Sequence, residues 1–325
     1  MLYPLTFHPI FKERVWGGRK LEQLYGKPLP PRLPIGESWE ISDRPGDVSV
    51  ISNGPLAGKD LHWLVENHSA ELLSGVKTQH GRFPLLIKIL DAQDKLSLQV
   101  HPPPDKAAEL GGEPKTEMWY ITDVAPGAEL YVGLKRGVTR DEFQQKIQAG
   151  TVAECFHRIP VKANDAMFLP SGRVHAIGAG LVLFEIQQNS DTTYRVFDWN
   201  RLGLDGKPRA LHIPQSVASM NFNNFEPSLI SAAFTESGTA KSRPLVRDTH
   251  FTVEAYQSNA RAEFPLPPNR MQIIAVLVGK LQLGDDQNKV TLSKGQFALI
   301  PACLTATVVQ GETSATWLRV EAGEP

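Results

Sequence analysis

The sequence has few cysteines and no long apolar run. Its two cysteines, Cys155 and Cys303, lie far apart and lack the paired spacing of thiolate metal sites and redox motifs. We therefore expect reduced thiols and a cytoplasmic location. Apolar runs such as residues 273–278 are far shorter than the roughly 20 residues of a membrane span, so they predict buried strands. The first residues also lack the basic start and apolar segment of an export signal.

The charge is balanced. The 34 Lys and Arg residues nearly match the 35 Asp and Glu residues, and the formal net charge is -1. Neither nucleic acid nor a membrane surface is therefore indicated as a partner. The length of 325 residues and the hydrophobic content of 41% are typical of a globular protein with more than one domain or lobe.

The turn residues indicate a mainly β protein. The 26 glycines and 25 prolines recur between short apolar or alternating segments, as they do where many strands are joined by turns. The predicted strands are Val48–Ile51, Leu85–Leu90, Leu96–Val100, Met118–Thr122, Ala128–Val132, Ala166–Leu169 and Leu181–Gln187.

Helices are expected to be few. Apolar spacing predicts a helix over Asp60–Leu73, and a capping-box pattern at Thr139 predicts another that stops at Gly150. A third, short helix is predicted from Asp105 to Leu110.

A loss of apolar periodicity over residues 235–247 predicts a domain boundary, with residues 1–235 before it and 236–325 after it. The later part contains a weak repeat of the earlier one. Asn164–Gly172 aligns with Lys294–Cys303, and the position of His175 is then matched near Thr305 or Ala306. The second copy is therefore expected to lack metal ligands.

Four polar residues form a candidate metal site. Gln99 and His101 alternate on a predicted strand and therefore share one face. Glu117 follows sixteen residues later, and His175 closes a Pro-x-Gly-x-x-His turn. Two imidazoles, a carboxylate and an amide oxygen suit a divalent ion such as zinc.

Simpler interpretations exist for each residue. Glu117 could be a half-buried carboxylate paired with Lys115, and Gln99 could be a solvated edge residue. The other seven histidines show no ligand spacing, and we expect no function for them. Trp16, Trp39 and Trp119 are expected in the core or in a pocket wall.

These motifs resemble a known family. Gln-x-His, Lys-x-Glu-x-Trp-Tyr and Pro-x-Gly-x-x-His are similar to the metal-binding motifs of cupins. Together with Glu185 and Ser190-Asp191-x-x-x-Arg195 they resemble type I mannose-6-phosphate isomerases, and most of all the shorter bacterial form. The resemblance extends from Val15–Gly18 and Gly36–Glu40 through Arg195, and the later residues resemble that family's second, ligand-free cupin.

The resemblance implies a fold and a cofactor. The implied fold is mainly β, with two cupin-like jelly-roll β-barrels and a few additional helices. The implied cofactor is one Zn²⁺ per chain, with four ligands that match the family's motif residue by residue: Gln99, His101, Glu117 and His175.

It also implies an activity. The family interconverts mannose 6-phosphate and fructose 6-phosphate, and a proton moves between C1 and C2 through a cis-enediol. Glu185 and Lys115 are the candidate bases, and the residues leave the choice between them open. Arg195 is the candidate phosphate anchor, because a guanidinium forms two-pronged contacts with phosphate oxygens. The remaining substrate-binding candidates are Asp191, which would orient Arg195, and Ser97 and Lys88 near the phosphate.

Other interpretations stay open at this point. Glu185 could face outward from its strand, and Arg195 could form a surface salt bridge with Asp191 or Asp198. A cupin that binds sugar phosphates without catalysis and, with less support, an Fe(II) cupin oxygenase are the alternative functions. The sequence does not distinguish a monomer from a homodimer.

Overall fold

The structure is a computed structural model that describes residues 2–284 and 289–323. The strands of its first part are β1 (Ile10–Gly18), β2 (Ile35–Ile41), β3 (Asp43–Arg44), β4 (Asp47–Val48), β5 (Leu85–Ala92), β6 (Leu98–Val100), β7 (Glu117–Val124), β8 (Glu129–Leu134), β9 (Phe156–Pro160), β10 (Ala166–Leu169), β11 (His175–Ile177), β12 (Leu181–Gln188) and β13 (Tyr194–Phe197).

The strands of the later part are β14 (Thr235–Ser237), β15 (Ala240–Arg247), β16 (Phe251–Ser258), β17 (Glu263–Pro265), β18 (Gln272–Val278), β19 (Lys280–Gly284), β20 (Val290–Ser293), β21 (Phe297–Ile300), β22 (Val308–Gly311) and β23 (Ala315–Ala322). The helices are α1 (Lys20–Tyr25), α2 (Leu61–Leu73), α3 (Pro104–Ala107), α4 (Arg140–Gln148) and α5 (Ile213–Ser219), with a 3-10 turn at Val152–Cys155. The prediction of a mainly β chain with a few helices is confirmed.

The strands form two sandwiches. In the first, a sheet in the order β1-β2-β5-β12-β7-β10 covers a sheet in the order β13-β6-β11-β8-β9. Trp119 and Leu183 of the larger sheet share a buried core with Leu130 and Val132 of the smaller one. In the second, β14-β15-β16-β23-β18-β21 covers β17-β22-β19-β20. Such paired antiparallel sheets are the architecture expected of jelly rolls.

A third core lies between the sandwiches. Leu5, Phe184 and Phe297 belong to one buried cluster that also includes residues of α2 and of β23. The backbones of Leu5 and Leu299 exchange two hydrogen bonds, of 2.9 and 2.8 Å. The outer faces of the two large sheets are therefore buried against each other and not exposed to water.

Both long helices begin where the sequence predicts. The Asp60 side chain accepts a hydrogen bond from the Trp63 N–H at 2.7 Å, ahead of α2. The Thr139 hydroxyl accepts one from the Glu142 N–H at 3.1 Å, ahead of α4. These caps satisfy N–H groups that a helix leaves without a partner at its first turn.

Two element predictions were wrong in detail. The strand predicted over Val48–Ile51 ends at Val48, because Val50 and Ile51 make only isolated bridges, to Asp60 and Phe7. The helix predicted from Asp105 to Leu110 begins at Pro104 and ends at Ala107. Proline suits the first turn of a helix, where its missing N–H would have no partner in any case.

The boundary at residue 235 stays a prediction. β14 begins there, at the start of the second sandwich, but the shared third core joins the two parts. Within the predicted second domain, residues 285–288, 324 and 325 lie outside the described residues. Among the residues that the structure describes, no helix is long and apolar enough to cross a membrane.

Candidate metal centre and substrate cavity

Three predicted ligands meet inside the first sandwich. His101 follows β6, Glu117 begins β7 and His175 begins β11. Their ligand atoms lie within 4.8 Å of one another, and all three side chains are buried. His101 Nε2 is 3.4 Å from Glu117 Oε2, and His175 Nε2 is 3.3 Å from Glu117 Oε1. Strands of both sheets therefore contribute to one centre.

Backbone carbonyls orient the two imidazoles. The Nδ1–H of His101 donates to the Thr192 carbonyl at 2.8 Å, and that of His175 donates to the Arg173 carbonyl at 2.8 Å. With the proton on Nδ1, each Nε2 is unprotonated and lies beside a carboxylate oxygen of Glu117. Such outer contacts are typical of histidines that ligate metals.

The protonation of the three side chains also suits a metal. Burial and the nearby Lys115 ammonium lower the pKa of His101 to about 4, and burial lowers the pKa of His175. Although burial opposes it, the positive charge of Lys115 holds the pKa of Glu117 well below its usual range. At neutral pH the centre thus has two neutral imidazoles and a carboxylate, which are the forms that bind metal.

The centre contains polar atoms without partners. In the described part of the chain, His101 Nε2 and Glu117 Oε1 are buried and accept no hydrogen bond. A buried acceptor without a partner costs on the order of 1–3 kcal/mol. A divalent cation between these atoms would remove that cost, so the residues present fit a metal ion.

Gln99 lies at the edge of the centre. Its Nε2 is 3.4 Å from His175 Nε2, and its Oε1 accepts a hydrogen bond from the Ser97 hydroxyl at 3.3 Å. A half-turn of the amide about the Cγ–Cδ bond would bring the oxygen to the position of the nitrogen. The pairing of β6 with β11 and β13 aligns Gln99 with both His175 and Arg195.

A row of charges crosses the opposite sheet. Strand pairing aligns Trp39, Lys88, Glu185 and Trp119 on neighbouring strands. Glu185 Oε1 is 3.2 Å from Lys88 Nζ, and the Trp119 indole N–H donates to Oε2 at 2.8 Å. Glu185 is therefore buried and faces the site, and it does not face outward.

Lys115 links this row to the metal centre. Its Nζ is 2.7 Å from Glu117 Oε2 and 3.9 Å from Glu185 Oε1. Burial lowers the pKa of Lys115, but the two carboxylates outweigh it and raise the pKa above its ordinary value. The interpretation of Glu117 as a partner of Lys115 is thus correct, and it coexists with the convergence on the two histidines.

Two further charged residues extend the row toward solvent. Glu37 on β2 accepts hydrogen bonds from the Trp39 indole at 2.6 Å and from Arg14 Nε at 2.9 Å. Although burial opposes it, the charges of Lys88 and Arg14 lower the pKa of Glu37 to about 2. Neither residue was predicted to belong to the site: Glu37 lies within the Gly36–Glu40 motif, and no role was expected for Arg14.

A cavity of about 580 Å³ opens beside the centre. This volume is in the range of pockets for small molecules. All the predicted catalytic and substrate-binding residues line it, namely Lys88, Ser97, Lys115, Glu185, Asp191 and Arg195.

Arg195 faces this cavity without a carboxylate partner. Its Nη1 donates to the Ala210 carbonyl at 2.8 Å, and its Nε is buried without a hydrogen bond. In the described residues it forms no ion pair with Asp191 or Asp198, so the surface salt bridge was the wrong alternative. Asp191 is exposed and does not contact Arg195, so nothing in the geometry supports an orienting role for it.

Several contributors were not predicted. Thr192 acts through its backbone carbonyl, which a sequence pattern cannot indicate. His212 received no function, yet its Nδ1 accepts a hydrogen bond from the Arg195 backbone N–H at 3.1 Å. Arg209 lines the cavity from a loop and shows no motif spacing. The sequence feature that could have indicated Arg209 is the run of three arginines after Asp191, at positions 195, 201 and 209.

The chain is similar to known proteins over almost its whole length. A family model of the catalytic domain of type I phosphomannose isomerase matches residues 5–123. The chain is 36% identical over 313 residues to a mannose-6-phosphate isomerase of Streptococcus mutans, covering 96% of both chains. It is 34% identical to the mannose-6-phosphate isomerase ManA of Bacillus subtilis, covering 95% of this chain and 96% of that one.

A solved structure is also similar. The crystal structure of a mannose 6-phosphate isomerase from Bacillus subtilis superposes with a TM-score of 0.89 at 32% identity, covering 98% of this chain and 99% of that one. A structure from Archaeoglobus fulgidus, at 21% identity and a TM-score of 0.76, shares the fold.

Proposed function

Since the chain belongs to the type I mannose-6-phosphate isomerase family and is a mannose-6-phosphate isomerase, we propose that it acts through a cis-enediol with one bound zinc ion. The ligands in this proposal are His101, Glu117, His175 and the amide oxygen of Gln99. The unpartnered acceptors of the centre support a metal, and their nitrogen and oxygen types favour zinc. When bound, zinc supplies a Lewis acid that polarises the sugar carbonyl.

Glu185 is the base in this proposal. It takes the proton from C2 of mannose 6-phosphate and returns it to C1, while the hydroxyl proton moves from O2 to O1. The supporting observation is its place in the cavity: Trp119 and Lys88 hold the carboxylate still beside the metal centre. Lys115 is less suited to this step, because its ammonium already pairs with Glu117 at 2.7 Å. In this proposal Lys115 instead donates to a sugar oxygen.

Arg195 binds the phosphate in this proposal. Its guanidinium lines the cavity and keeps donors that are not used by any carboxylate. Ser97 lies on the same strand face as Gln99, and in this proposal it also binds the phosphate end of the substrate. Lys88 lies between Glu37 and Glu185, so its assigned role is to fix Glu185 and not to bind phosphate directly. Asp191, at the rim, is assigned to a sugar hydroxyl.

The proposal is tested by turnover in deuterium oxide. The metal-analysed protein is incubated with mannose 6-phosphate without oxygen, and fructose 6-phosphate and deuterium incorporation are followed by NMR. The wild type should form product and exchange deuterium. Glu185→Gln should lower kcat on the order of 10²–10⁴-fold and lose the exchange, with unchanged zinc content.

Glu13→Gln is the matched control, because Glu13 also lines the cavity but has no role in the proposed reaction. It should keep wild-type turnover. Absence of product from the zinc-loaded wild type would refute the function, and it would leave the sugar-phosphate-binding alternative. Retained exchange in Glu185→Gln would instead move the base to Lys115.

A further inference from the structure

Two arginines contact one carboxylate, Asp198, beside the cavity, and a third, Arg195, lies near them. Arg209 contacts Asp198 through two nitrogens, with Nε at 2.6 Å and Nη2 at 2.5 Å. Arg201 contacts the same carboxylate, with Nε at 3.1 Å and Nη2 at 2.9 Å. Arg195 lies close enough for its pKa to be lowered by burial and by the charge of Arg209. Arg201 also lies 3.2 Å from Asp94, so three guanidiniums share two carboxylates.

Arg209 differs from Arg201 in its position. Arg195 and Arg209 both line the cavity, whereas Arg201 does not. The loop between β13 and α5 carries Arg209, and Gly203 and Leu204 of this loop also line the cavity. The same loop fixes Arg195, since the Ala210 carbonyl accepts its Nη1–H. The loop thus carries the guanidinium of Arg209 and fixes the guanidinium of Arg195, which belongs to β13, beside the same cavity.

The negative charge of the substrate exceeds the positive charge of one guanidinium. A phosphate monoester carries about -1.5 to -2 charges at pH 7, and Arg195 supplies a single positive charge. Asp198 is buried, and a buried carboxylate that loses every cationic partner would destabilise the fold. It has two partners, however, and Arg201 keeps it paired if Arg209 turns toward an anion.

Resting on the proposed function, we propose that Arg209 is a second phosphate-binding residue, which closes on the sugar phosphate opposite Arg195 and makes the cavity selective for phosphorylated sugars. Asp198 holds the guanidinium at the rim until the phosphate enters. A guanidinium suits this exchange, because its planar donors pair with a carboxylate and a phosphate in the same two-pronged way.

The test compares Arg209→Gln and Arg209→Lys with Lys207→Met in the zinc-loaded full chain. Lys207 is exposed on the same loop and does not line the cavity, so its loss removes one charge without removing a contact. KM and kcat for mannose 6-phosphate are measured, together with the inhibition constant of inorganic phosphate, its binding by calorimetry and the zinc content.

We expect Arg209→Gln to raise both KM and the phosphate inhibition constant about 10- to 100-fold, as loss of a charged hydrogen bond predicts. Its kcat should stay within about threefold of the wild type, since in this proposal Arg209 contacts the phosphate and not the reacting carbons. Arg209→Lys should recover part of the loss, because lysine keeps the charge but not the two-pronged geometry. Lys207→Met should resemble the wild type.

Two results would overturn the inference. One is an unchanged KM and inhibition constant in Arg209→Gln, and the other is a fall of kcat alone. If Arg209→Gln fails to fold, wild-type phosphate affinity in Arg209→Lys at raised salt would count against the two-pronged contact. An inactive wild type would refute the proposed function. The binding of inorganic phosphate would still show whether Arg209 binds phosphate.

Discussion

At the scale of residues, two tryptophans hold the carboxylates of the cavity wall. The Trp39 indole donates to Glu37 and the Trp119 indole donates to Glu185, at 2.6 and 2.8 Å. Lys88 lies between the two carboxylates, 4.0 Å from Glu37 and 3.2 Å from Glu185. An isolated buried carboxylate would favour its protonated form, and at Glu37 the charges of Lys88 and Arg14 and the Trp39 indole oppose that tendency and lower the pKa.

Glu37 should make stability depend on pH. Its pKa of about 2 lies below the value of about 4.3 expected in the unfolded chain. The ionised form therefore stabilises the fold fully above about pH 5, and this contribution is lost as the pH falls through 4 toward 2. Glu37→Gln should lower the free energy of unfolding by about 3 kcal/mol at pH 7, and the difference from the wild type should vanish near pH 2.

Urea unfolding of both proteins between pH 2 and 7 measures this difference. Glu22→Gln provides the control, because Glu22 pairs with Arg19 on the surface with half of its side chain exposed. That substitution should change stability little at any pH. A pH-independent difference for Glu37→Gln would show that the charge is not the cause.

At the scale of elements, β1 and β2 cross very closely beside the cavity. A Cβ atom at Gly17 would lie 2.4 Å from the Gly36 nitrogen and 2.7 Å from the Pro34 carbonyl oxygen. One at Gly36 would lie 2.6 Å from Trp16. The two glycines thus let β1 carry Arg14 and Trp16 to the cavity wall.

Gly17→Ala should therefore separate β1 from β2. The backbone atoms around Gly17 cannot move aside as a flexible side chain can, so we expect a loss of about 1–3 kcal/mol in the free energy of unfolding. KM should also rise, because Arg14 and Trp16 move with β1. Denaturant unfolding and steady-state kinetics measure the two effects.

Gly46→Ala is the comparison for that experiment. Gly46 has φ +83°, but a Cβ atom there would meet open space. Alanine should cost about 1–2 kcal/mol in this left-handed conformation and leave KM unchanged. Equal kinetics for both variants would argue against the close crossing as the determinant of the cavity wall.

At the scale of the whole molecule, the two sandwiches repeat one topology. β10 takes the edge of one large sheet beside β7, and β21 takes the same place beside β18. The repeat that the sequence indicated, Asn164–Gly172 against Lys294–Cys303, falls on these two strands. In matching registers, Gln272 takes the position of Glu117, and Arg319 takes that of Glu185.

The second sandwich has reversed charges at this position. Arg319 pairs with Glu254 at 2.5 Å, where the first sandwich has Glu185 and Lys88. A guanidinium in place of the carboxylate leaves no counterpart of the proposed base, and an amide in place of Glu117 leaves no counterpart of the proposed ionised ligand. Among the described residues, the cluster with metal-ligand geometry accordingly lies in the first sandwich.

The third core should make the molecule unfold as one unit. The rings of Phe184 and Phe297, from different sandwiches, lie 5.2 Å apart within a cluster that both parts share. Scanning calorimetry should show one transition, with calorimetric and van't Hoff enthalpies close to equal. Phe184→Ala should lower the free energy of unfolding by about 3–5 kcal/mol and keep a single transition. Two resolved transitions in the wild type would show that the sandwiches unfold independently.

Local patterns were enough for six strands of the first sandwich, for the caps of α2 and α4 and for the candidate metal centre. Alternation placed Gln99 and His101 together, and a turn brought back His175, because both effects act over a few residues. β2 was not predicted, because Glu37, Ser38 and Glu40 interrupt its apolar pattern, although all its residues are buried. Their polar side chains find partners only once distant segments have packed around them.

The sequence by itself thus determined the β architecture and the candidate ligand types, since these follow from short spacing and residue chemistry, whereas the candidate base and anchor came from its resemblance to a family. Only the tertiary structure decided which carboxylate pairs with each lysine or arginine side chain. Glu185 lies against Lys88 and Trp119, and Asp198 takes Arg201 and Arg209 in place of Arg195. Such pairs join strands and loops far apart in the chain, and their energies depend on burial and distance, which exist only after folding.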